Sequence, residues 1–410
     1  MRARTLAATA VVLAATGGTA HAGAPLRPAP ADGRAAVETV RYHLGDSAYE
    51  LPGTGEPVEL AATVHYPKNL GGTPHPVVVA LHGWHETCAD ADAATARDKA
   101  ERAADWDAYS RANQRLFSWP CAAGVRPIDN DRGYDYMGER LAAEGFVFVS
   151  VRANGLNAAS LSGDDNASAR ADLINRHLAL WQRLSSTGAG ALAGRFTDAA
   201  TGRSAKVDFA HHVDMGRVGT LGHSRGGAGV TWQAADSHRS QWPSGVRVKA
   251  VLALAPAYNV MTEDMSAYRV HTTPLAVMRG TCDGQVGLES FGFAADATAE
   301  GKADTYEFGV HGGNHNYFNT KWSPGSGEVA ADDDAHPVDG RPGRCTDIGE
   351  SAVDVQLTES RQRRAGLAYV EAFFRRYLLG ESRFSAVLEG REHPVAHIAD
   401  VDVKATVRTS

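Results

Sequence analysis

The segment RVGTLGHSRGG at residues 217–227 decides the fold. A short apolar run of strand character leads into a Gly-x-Ser-x-Gly turn, and a helix is predicted to follow from about Arg225. A serine at such a turn sits on strained backbone, and Gly222 and Gly226 leave room for the strand and the helix to approach each other. In a chain with 43 glycines among 410 residues the pattern can arise by chance, so its weight comes from this setting. The segment predicts a reactive Ser224, and the alternative is a glycine-rich turn with an idle serine.

Strands and helices alternate on both sides of this segment. Apolar runs bounded by Gly and Pro predict strands at residues 37–44, 58–66, 76–81, 146–151, 217–221, 248–255, 275–279 and 305–310. Apolar residues at helical spacing predict amphipathic helices at residues 134–141, 173–184 and 367–378, besides the one that starts near 225. The alternation predicts an α/β fold with a doubly wound, mostly parallel sheet and helices on both faces. Ligands of such sheets bind at the carboxyl ends of the strands.

The chain divides into four predicted parts. They are a signal peptide at residues 1–22, a flexible Pro/Ala-rich lead-in at 23–36, one α/β domain at 37–380 with an insertion at 84–130, and a C-terminal tail at 381–410. Within the domain, the Gly/Ala/Thr-rich residues 185–214 are predicted to be a surface excursion. The tail is too short to be a second domain but long enough to add an edge strand.

The first residues resemble an export signal. Arg2 and Arg4 precede an apolar run at residues 6–15, which is shorter than the roughly 20 residues that span a bilayer. Ala20-His21-Ala22 then offers the small residues that a signal peptidase needs, so we expect cleavage after Ala22 and a secreted, extracellular protein without a membrane anchor. The alternative is an Ala-rich disordered start.

The composition excludes several classes of protein. With 43% hydrophobic and 22% charged residues the chain is not disordered. A net charge of −7 without a long basic run argues against nucleic acid and anionic membranes as partners, and we expect a monomer. Histidines and cysteines at zinc spacing and early nucleotide-binding loops are missing from the sequence, so no metal and no cofactor are predicted. Asp332, Asp333, Asp334 and Asp339 could bind Ca²⁺, but a solvated acidic loop is the favoured interpretation.

The four cysteines are too few for a disulfide-built scaffold. An even number in an exported chain nevertheless suggests disulfide bonds, and four cysteines allow three pairings. We favour Cys88–Cys121 and Cys282–Cys345, because each pair brackets one loop-rich stretch. In the chain-entropy model each bond would stabilise the fold by roughly 4 kcal/mol. The alternative is four free thiols that are buried separately.

A serine nucleophile needs a base, and the base needs an orienting acid. Asp283 comes just after the predicted strand at residues 275–279, where the acid of a Ser–Asp–His chain order belongs. Its alternative role is to form an Asp-Gly turn. Glu263 and Asp264 are the reserve acids, but they lie in a longer loop.

The base is expected after the next strand, in the segment HGGNHNYF at residues 311–318. His315 is favoured because the two glycines before it let the chain turn back over the sheet. His311 lies closer to the end of the strand and is the rival candidate.

The loop after the predicted strand at residues 76–81 supplies the last part of the site. The backbone N–H groups of Trp84 and Arg225 could both point at an oxygen that becomes negative in a transition state. Trp84 would also line the pocket. Trp119, close to Cys121, could do the same, although a core role is equally compatible with the sequence.

Together, the His82-Gly83 pair, the GHSRGG turn, the acid in GTCDGQV and the histidine in NHNYF resemble the α/β-hydrolase superfamily. They fit best its secreted bacterial branch, described as PET hydrolase/cutinase-like or chlorophyllase-like, over about residues 37–380. The resemblance implies the α/β-hydrolase fold. It also implies a role for each candidate residue: nucleophile Ser224, acid Asp283, base His315, and oxyanion N–H donors Trp84 and Arg225.

The chain departs from compact cutinases in two respects. Arg225 stands where they typically carry Met, and residues 84–130 are a large insertion. Both changes adjoin the predicted pocket, so polyester cleavage does not follow from the resemblance.

The motifs predict a serine hydrolase that cleaves small-molecule or polymeric carboxylic esters through an acyl-enzyme. Two alternatives stay open. One is an amidase or peptidase with the same triad, and the other is a catalytically silent binding protein of the same fold. No motif encodes the acyl chain length or the alcohol.

Overall fold

Residues 35–159, 161–258, 264–335, 337–338, 341–346 and 353–408 are described by a computed structural model. The predicted signal peptide and residues 23–34 of the predicted lead-in lie outside these ranges. Glu263, the reserve acid, and Asp339, the fourth candidate calcium ligand, lie outside them as well.

The described residues contain fifteen strands and nine α-helices. The strands are β1 (Val37–His43), β2 (Tyr49–Glu50), β3 (Pro57–Val58), β4 (Ala61–Pro67), β5 (His75–Leu81), β6 (Val147–Val151), β7 (Thr197–Asp198), β8 (Val213–His223), β9 (Val248–Leu254), β10 (Leu275–Gly280), β11 (Thr305–Val310), β12 (Pro337–Val338), β13 (Arg341–Thr346), β14 (Val353–Val355) and β15 (Val401–Thr406). The helices are α1 (Ala91–Arg102), α2 (Trp106–Leu116), α3 (Asp135–Ala143), α4 (Asn154–Ala158), α5 (Gly163–Thr187), α6 (Arg225–Ala234), α7 (Gly292–Glu300), α8 (Glu359–Leu378) and α9 (Ser385–Leu388). None of these helices is long and apolar enough to cross a membrane.

Ten strands form one sheet in the order β15-β11-β10-β9-β8-β5-β6-β4-β1-β7. The six strands from β11 to β6 run parallel. At one edge β4, β1 and β7 continue the sheet antiparallel, and at the other edge β15 pairs antiparallel with β11. The predicted α/β class with a mostly parallel sheet is therefore confirmed.

Helices cover both faces of this sheet. Because side chains alternate across a strand, β5 sends Val77 and Val79 to one face, and Val78 and Ala80 to the other. All four are at most 1% exposed. The first face packs against α5, α6 and α7, and the second packs against α3 and α8. A strand buried on both faces explains why residues 76–81 form a continuous apolar run.

The parallel strands β5, β8, β10 and β11 end at the same edge of the sheet. The segments that follow them carry the candidate site. Two glycines bring the last two of these segments together, because a Cβ at Gly280 would lie only 1.9 Å from the carbonyl oxygen of Gly313. The backbone N–H of Cys282 donates to that same carbonyl over 2.8 Å.

The insertion, the predicted surface excursion and the tail all contain regular secondary structure. The insertion at 84–130 contains the helix pair α1 and α2. The stretch at 185–214 is more than a surface excursion, since β7 joins the sheet beside β1, and Phe196 and Phe209 are buried. The tail at 381–410 is part of the α/β domain, because β15 forms a sheet edge. The edge strand that the length of the tail allowed is therefore present, whereas the two-residue strand β7 and the isolated buried aromatic residues carry no periodic signal and were not predicted.

Both expected disulfide bonds are present. Cys88 pairs with Cys121 across a Cα–Cα distance of 5.6 Å, and Cys282 pairs with Cys345 across 5.4 Å. The pairing predicted from the loop-rich stretches is confirmed. Cys345 lies in β13, the middle strand of the small sheet β12-β13-β14.

Candidate active site

Ser224 occupies a strained turn between β8 and α6. Its backbone has φ 58° and ψ −126°, in the left-handed half of conformational space that residues other than glycine rarely adopt. Hydrogen bonds on either side hold it there, from the Ser224 N–H to the Leu254 carbonyl (2.9 Å) and from the Gly227 N–H to the Ser224 carbonyl (2.8 Å). This geometry lifts the side chain out of the sheet at the positive end of α6.

The glycines of the motif are required by close contacts. A Cβ at Gly222 would lie 2.0 Å from the carbonyl oxygen of Gly226, and a Cβ at Gly226 would lie 2.4 Å from that of Leu81. Side chains at these two positions would therefore push the strand and the helix apart. The sequence interpretation of the GHSRGG turn agrees with this geometry.

Asp283 and His315 form a buried pair. His315 Nδ1 lies 3.0 Å from Asp283 Oδ2, and the two residues are 3% and 0% exposed. Asp283 Oδ1 accepts the backbone N–H groups of Gln285 and Val286, over 2.9 and 2.8 Å. The carboxylate is thus fixed by its own turn, and it orients the ring so that Nε2 is left for the substrate side.

The pKa of His315 lies above its ordinary value. Burial alone would lower this pKa, but the charge and the hydrogen bond of Asp283 outweigh it, and Asp334 and Asp332 add to the same effect. A carboxylate beside an imidazole favours the charged ring, which is the form that a general base adopts after it accepts a proton.

The rival residues lie elsewhere. His311 sits near the sheet edge, where Nε2 lies 2.8 Å from Asp402 and Nδ1 lies 3.3 Å from Asp354. Asp264 is exposed and accepts the backbone N–H of Ser266 at the start of a short helical turn. Between the two histidines, the structure therefore places His315 beside the candidate acid.

His315 packs beside His223, the residue that directly precedes Ser224. The rings of His315 and His223 have centroids 4.8 Å apart, and His223 directly precedes the serine. Among the described residues, no hydrogen bond joins the Ser224 hydroxyl to the His315 ring, whose Nδ1 is directed at Asp283. Contacts of this kind are often long without a substrate and tighten when one binds.

The loop after β5 lies against the serine. A Cβ at Gly83 would be 2.4 Å from the Cβ of Ser224, so only glycine fits there. Within the described part of the chain, the backbone N–H groups of Trp84 and Arg225 donate to no protein acceptor. Two free donors beside a serine hydroxyl are what an oxyanion hole requires.

Two side chains, those of Arg170 and Asn157, hold this loop in place. Arg170 donates to the carbonyl of His82 over 3.1 Å, and Asn157 Nδ2 donates to the carbonyls of Gly83 (3.0 Å) and His85 (3.1 Å). Arg170 also reaches Asn157 Oδ1 over 2.6 Å. Sequence analysis missed Arg170 and Asn157, because they lie in α5 and α4 with no motif around them.

Trp84 forms an exposed platform beside the serine. It is 43% exposed and stacks on Phe117 with ring centroids 4.4 Å apart. The guanidinium carbon of Arg225 lies 4.9 Å from the ring centroid of Trp84, in a cation–π contact. Phe117 comes from the 84–130 insertion, so that insertion helps to line the site. Trp119 instead donates its indole N–H to the carbonyl of Asp46.

Trp322 is a further residue that sequence patterns did not single out. It is fully buried, and its ring stacks on His223 (4.7 Å) and on His85 (5.0 Å). Its indole N–H donates to Asn130 Oδ1 over 2.7 Å. Trp322 therefore supports the ring that lies between the serine and His315. A single Trp in a polar stretch gives no signal of this role.

Asp332, Asp333 and Asp334, here called the acidic clamp, lie against the loop that carries His315. Asp334 accepts the backbone N–H groups of His315 (3.0 Å) and Asn316 (3.3 Å). Asp333 accepts Asn314 Nδ2 over 3.2 Å, and Asp332 accepts the side-chain amide of Asn316. The interpretation as a solvated acidic loop is therefore wrong in part. Asp332 and Asp333 are exposed, but the segment is ordered by these amides.

Among the residues that the structure describes, one group of side chains has the donor set of a metal site. Asp283, His315 and Asp334 each offer one ligand atom, and these atoms lie within 4.8 Å of one another. The carboxylates are already occupied by hydrogen bonds, from Gln285, Val286 and the His315 ring to Asp283, and from the backbone of residues 315–316 to Asp334. The same contacts place two carboxylates close to the His315 ring, an arrangement that does not require a metal.

A small cleft of about 30 Å³ opens beside Arg225, lined also by Ser162, Asn166, Met265 and Tyr268. A larger pocket of about 360 Å³ lies near the sheet edge around His311 and Asp402. None of Ser224, Asp283 and His315 lines either of these two pockets.

The sequence was also compared with known proteins. No protein-family model matches the chain, and no curated protein matches it significantly. The function is therefore inferred from the arrangement of Ser224, Asp283 and His315.

Proposed function

We propose that this protein is an exported serine hydrolase that cleaves carboxylic esters through an acyl-enzyme. The observation that carries the proposal is the strained Ser224 turn together with the buried Asp283–His315 pair. These groups follow three strands of one sheet, in the chain order Ser–Asp–His that α/β hydrolases use. We therefore also propose the α/β-hydrolase fold. The two disulfide bonds support export to an oxidising compartment.

In the proposed reaction, Ser224 Oγ attacks the ester carbonyl while His315 Nε2 takes its proton. Asp283 holds the Nδ1–H tautomer and stabilises the imidazolium that forms. The carbonyl oxygen becomes negative and is stabilised by the N–H groups of Trp84 and Arg225. The imidazolium returns the proton to the departing alcohol, which leaves Ser224 acylated. Water then attacks the acyl group with His315 as base, and the acid and the free serine are released.

The surroundings of the site also support an ester substrate. An alcohol is an easier leaving group than an amine, so the triad and the two N–H donors suffice for esters. The exposed Trp84–Phe117 platform offers apolar contact area to one part of the substrate. Among the described residues, the loop that carries Trp84 is held by buried hydrogen bonds, which pre-organises its N–H group.

The test combines active-site labelling with kinetics. Wild type and Ser224→Ala are treated with a fluorophosphonate probe and assayed on nitrophenyl esters of rising acyl length. Ser224→Ala should lose labelling, and its kcat should fall by at least about 10³-fold. Ser186→Ala is the matched control, because its exposed hydroxyl only bonds to its own helix, at the Gln182 carbonyl.

The outcomes separate the competing functions. Wild-type rates in Ser224→Ala would disprove the assignment of the nucleophile. A wild type that does not react with the probe would point to a silent binding protein of this fold. An amide matched in its acyl group to the best ester distinguishes an amidase from the esterase that we propose.

A further inference from the structure

Asp334 contacts the candidate base in two ways. Its Oδ2 accepts the backbone N–H of His315 over 3.0 Å, and its Oδ1 accepts that of Asn316 over 3.3 Å. In addition, one oxygen of Asp334, one oxygen of Asp283 and a ring nitrogen of His315 lie within 4.8 Å of one another. One side chain therefore fixes two consecutive peptide groups of the His315 loop and places a second carboxylate close to the ring.

We propose that Asp334 is a positioning residue for the base, which fixes the backbone of His315 and, together with Asp283, holds the imidazole between two carboxylates. This inference rests on the proposed function, in which His315 is the general base. Asp334 lies 19 residues further along the chain, so the acidic clamp contacts the His315 loop from a separate segment.

The charge of Asp334 affects the titration of the site. After Asp283, Asp334 is the next-largest charge that raises the pKa of His315. In return, burial and the negative charge of Asp283 raise the pKa of Asp334, whereas the positive charge of a protonated His315 lowers it. The protonation states of His315 and Asp334 therefore depend on each other, and the two groups titrate as a coupled pair.

Other titratable groups face the same region. Burial lowers the pKa of His223 well below its ordinary value, so this ring, which is tilted against that of His315, is neutral. The pKa of Asp332, at the far end of the acidic clamp, is raised by burial and by the charge of Glu86 and is lowered by His85. Asp333 bonds to Asn314 and to Gln356, over 3.2 and 2.5 Å, and neither contact involves the ring. Asp334 is the member of the clamp whose charge bears most directly on the base.

The rest of the clamp holds Asp334 in place. Asp332 and Asp333 each accept a side-chain amide of the His315 loop, from Asn316 and Asn314. Asn314 is itself tied to α8, since its backbone N–H donates to Gln362 Oε1 over 2.9 Å. The contacts thus anchor both partners, which is the support that a positioning residue requires.

The test is the pH profile of kcat/KM for a nitrophenyl butyrate, from pH 5 to 9, with a chelator present throughout. Asp334→Asn keeps an acceptor for the His315 N–H but removes the charge. The His315 pKa should then fall, so the acidic limb of the profile should move to lower pH by about one unit. KM at the plateau should stay unchanged. Asp333→Asn removes the same charge from the same clamp and is the matched control, with no shift expected.

Asp334→Ala also removes the backbone acceptor, and its plateau kcat should fall by at least about tenfold because the loop loses its fixed position. If Asp334→Ala does not fold by circular dichroism, the profile of Asp334→Asn decides. A profile of Asp334→Asn that superimposes on the wild type overturns the inference, and so does an equal shift in Asp333→Asn. In both cases an active, probe-labelled wild type leaves the proposed function intact. An inactive wild type overturns both.

Discussion

At the residue scale, the backbone of Ser224 is the most constrained point of the candidate site. A non-glycine residue at φ 58° costs about 1–3 kcal/mol, which the surrounding structure must offset. The hydrogen bonds to Leu254 and from Gly227 contribute to this, as does the close packing of Gly222 on Gly226. The strain is concentrated at the residue that we propose to be the nucleophile.

Gly222→Ala tests this packing. The new Cβ would meet the Gly226 carbonyl at 2.0 Å, so the turn between β8 and α6 must open. We expect the free energy of unfolding to fall by about 3 kcal/mol and ester hydrolysis to fall by at least about 100-fold. Thermal melting and kcat/KM measure the two effects. Gly72→Ala, where a Cβ meets nothing within 4 Å, is the control. Wild-type activity in Gly222→Ala would contradict the close-packed turn.

The choice between His311 and His315 shows what a local sequence pattern can predict. The glycines at 312–313 favoured His315 over His311, and His315 is indeed the one that meets Asp283. That preference had a local cause, the turn of the chain. No comparable local pattern surrounds Trp322 or Asn157. The sequence did not indicate their roles, because these depend on contacts with segments that are distant in sequence.

At the element scale, the two disulfide bonds tie different loops to the site. Cys282 adjoins Asp283, and its partner Cys345 lies on the small sheet that follows the acidic clamp. Cys88 and Cys121 instead bracket α1, α2 and Phe117 in the insertion. The Cys282–Cys345 bond therefore ties the loop of the candidate acid to the small sheet. The Cys88–Cys121 bond instead holds the insertion that carries Phe117.

Removing each bond should consequently affect different kinetic constants. The bonds close loops of 63 and 33 residues, so in the chain-entropy model each stabilises the fold by roughly 4 kcal/mol. The double variant Cys282→Ala/Cys345→Ala should lower Tm and reduce kcat by about tenfold or more, because Asp283 loses its anchored neighbour. Cys88→Ala/Cys121→Ala, the matched control, should lower Tm and raise KM with little change in kcat. An unchanged kcat in the first variant would show that the bond does not hold the acid in place.

At the scale of the whole molecule, the C-terminal segment forms one edge strand of the large sheet. β15 pairs with β11 over six residues, from Thr305↔Thr406 to Val310↔Val401. The same segment buries Val395 and Ile398 against the second hydrophobic cluster. Because β11 leads directly into the His315 loop, the pairing of β15 with β11 also supports the candidate site.

Deleting residues 391–410 should therefore destabilise the entire domain. The deletion exposes the edge of β11 and removes buried apolar side chains, so we expect aggregation or a clearly lower Tm, measured by light scattering and thermal melting. A chain that lacks only residues 409–410 is the control and should behave as the wild type. A soluble, fully active deletion variant would contradict the role of β15 in the fold.

The sequence by itself determined the features that depend on neighbours along the chain. Continuous apolar runs predicted the parallel strands, the spacing of apolar residues predicted α5 and α8, and the GHSRGG turn located Ser224 between a strand and a helix. Only the tertiary structure decided the contacts between distant segments, such as the acidic clamp on His315, Trp322 on His223 and β15 on β11. The physical reason is that strand and helix periodicities are set by the local backbone. Loop contacts arise instead when the sheet brings the carboxyl ends of its strands to one edge.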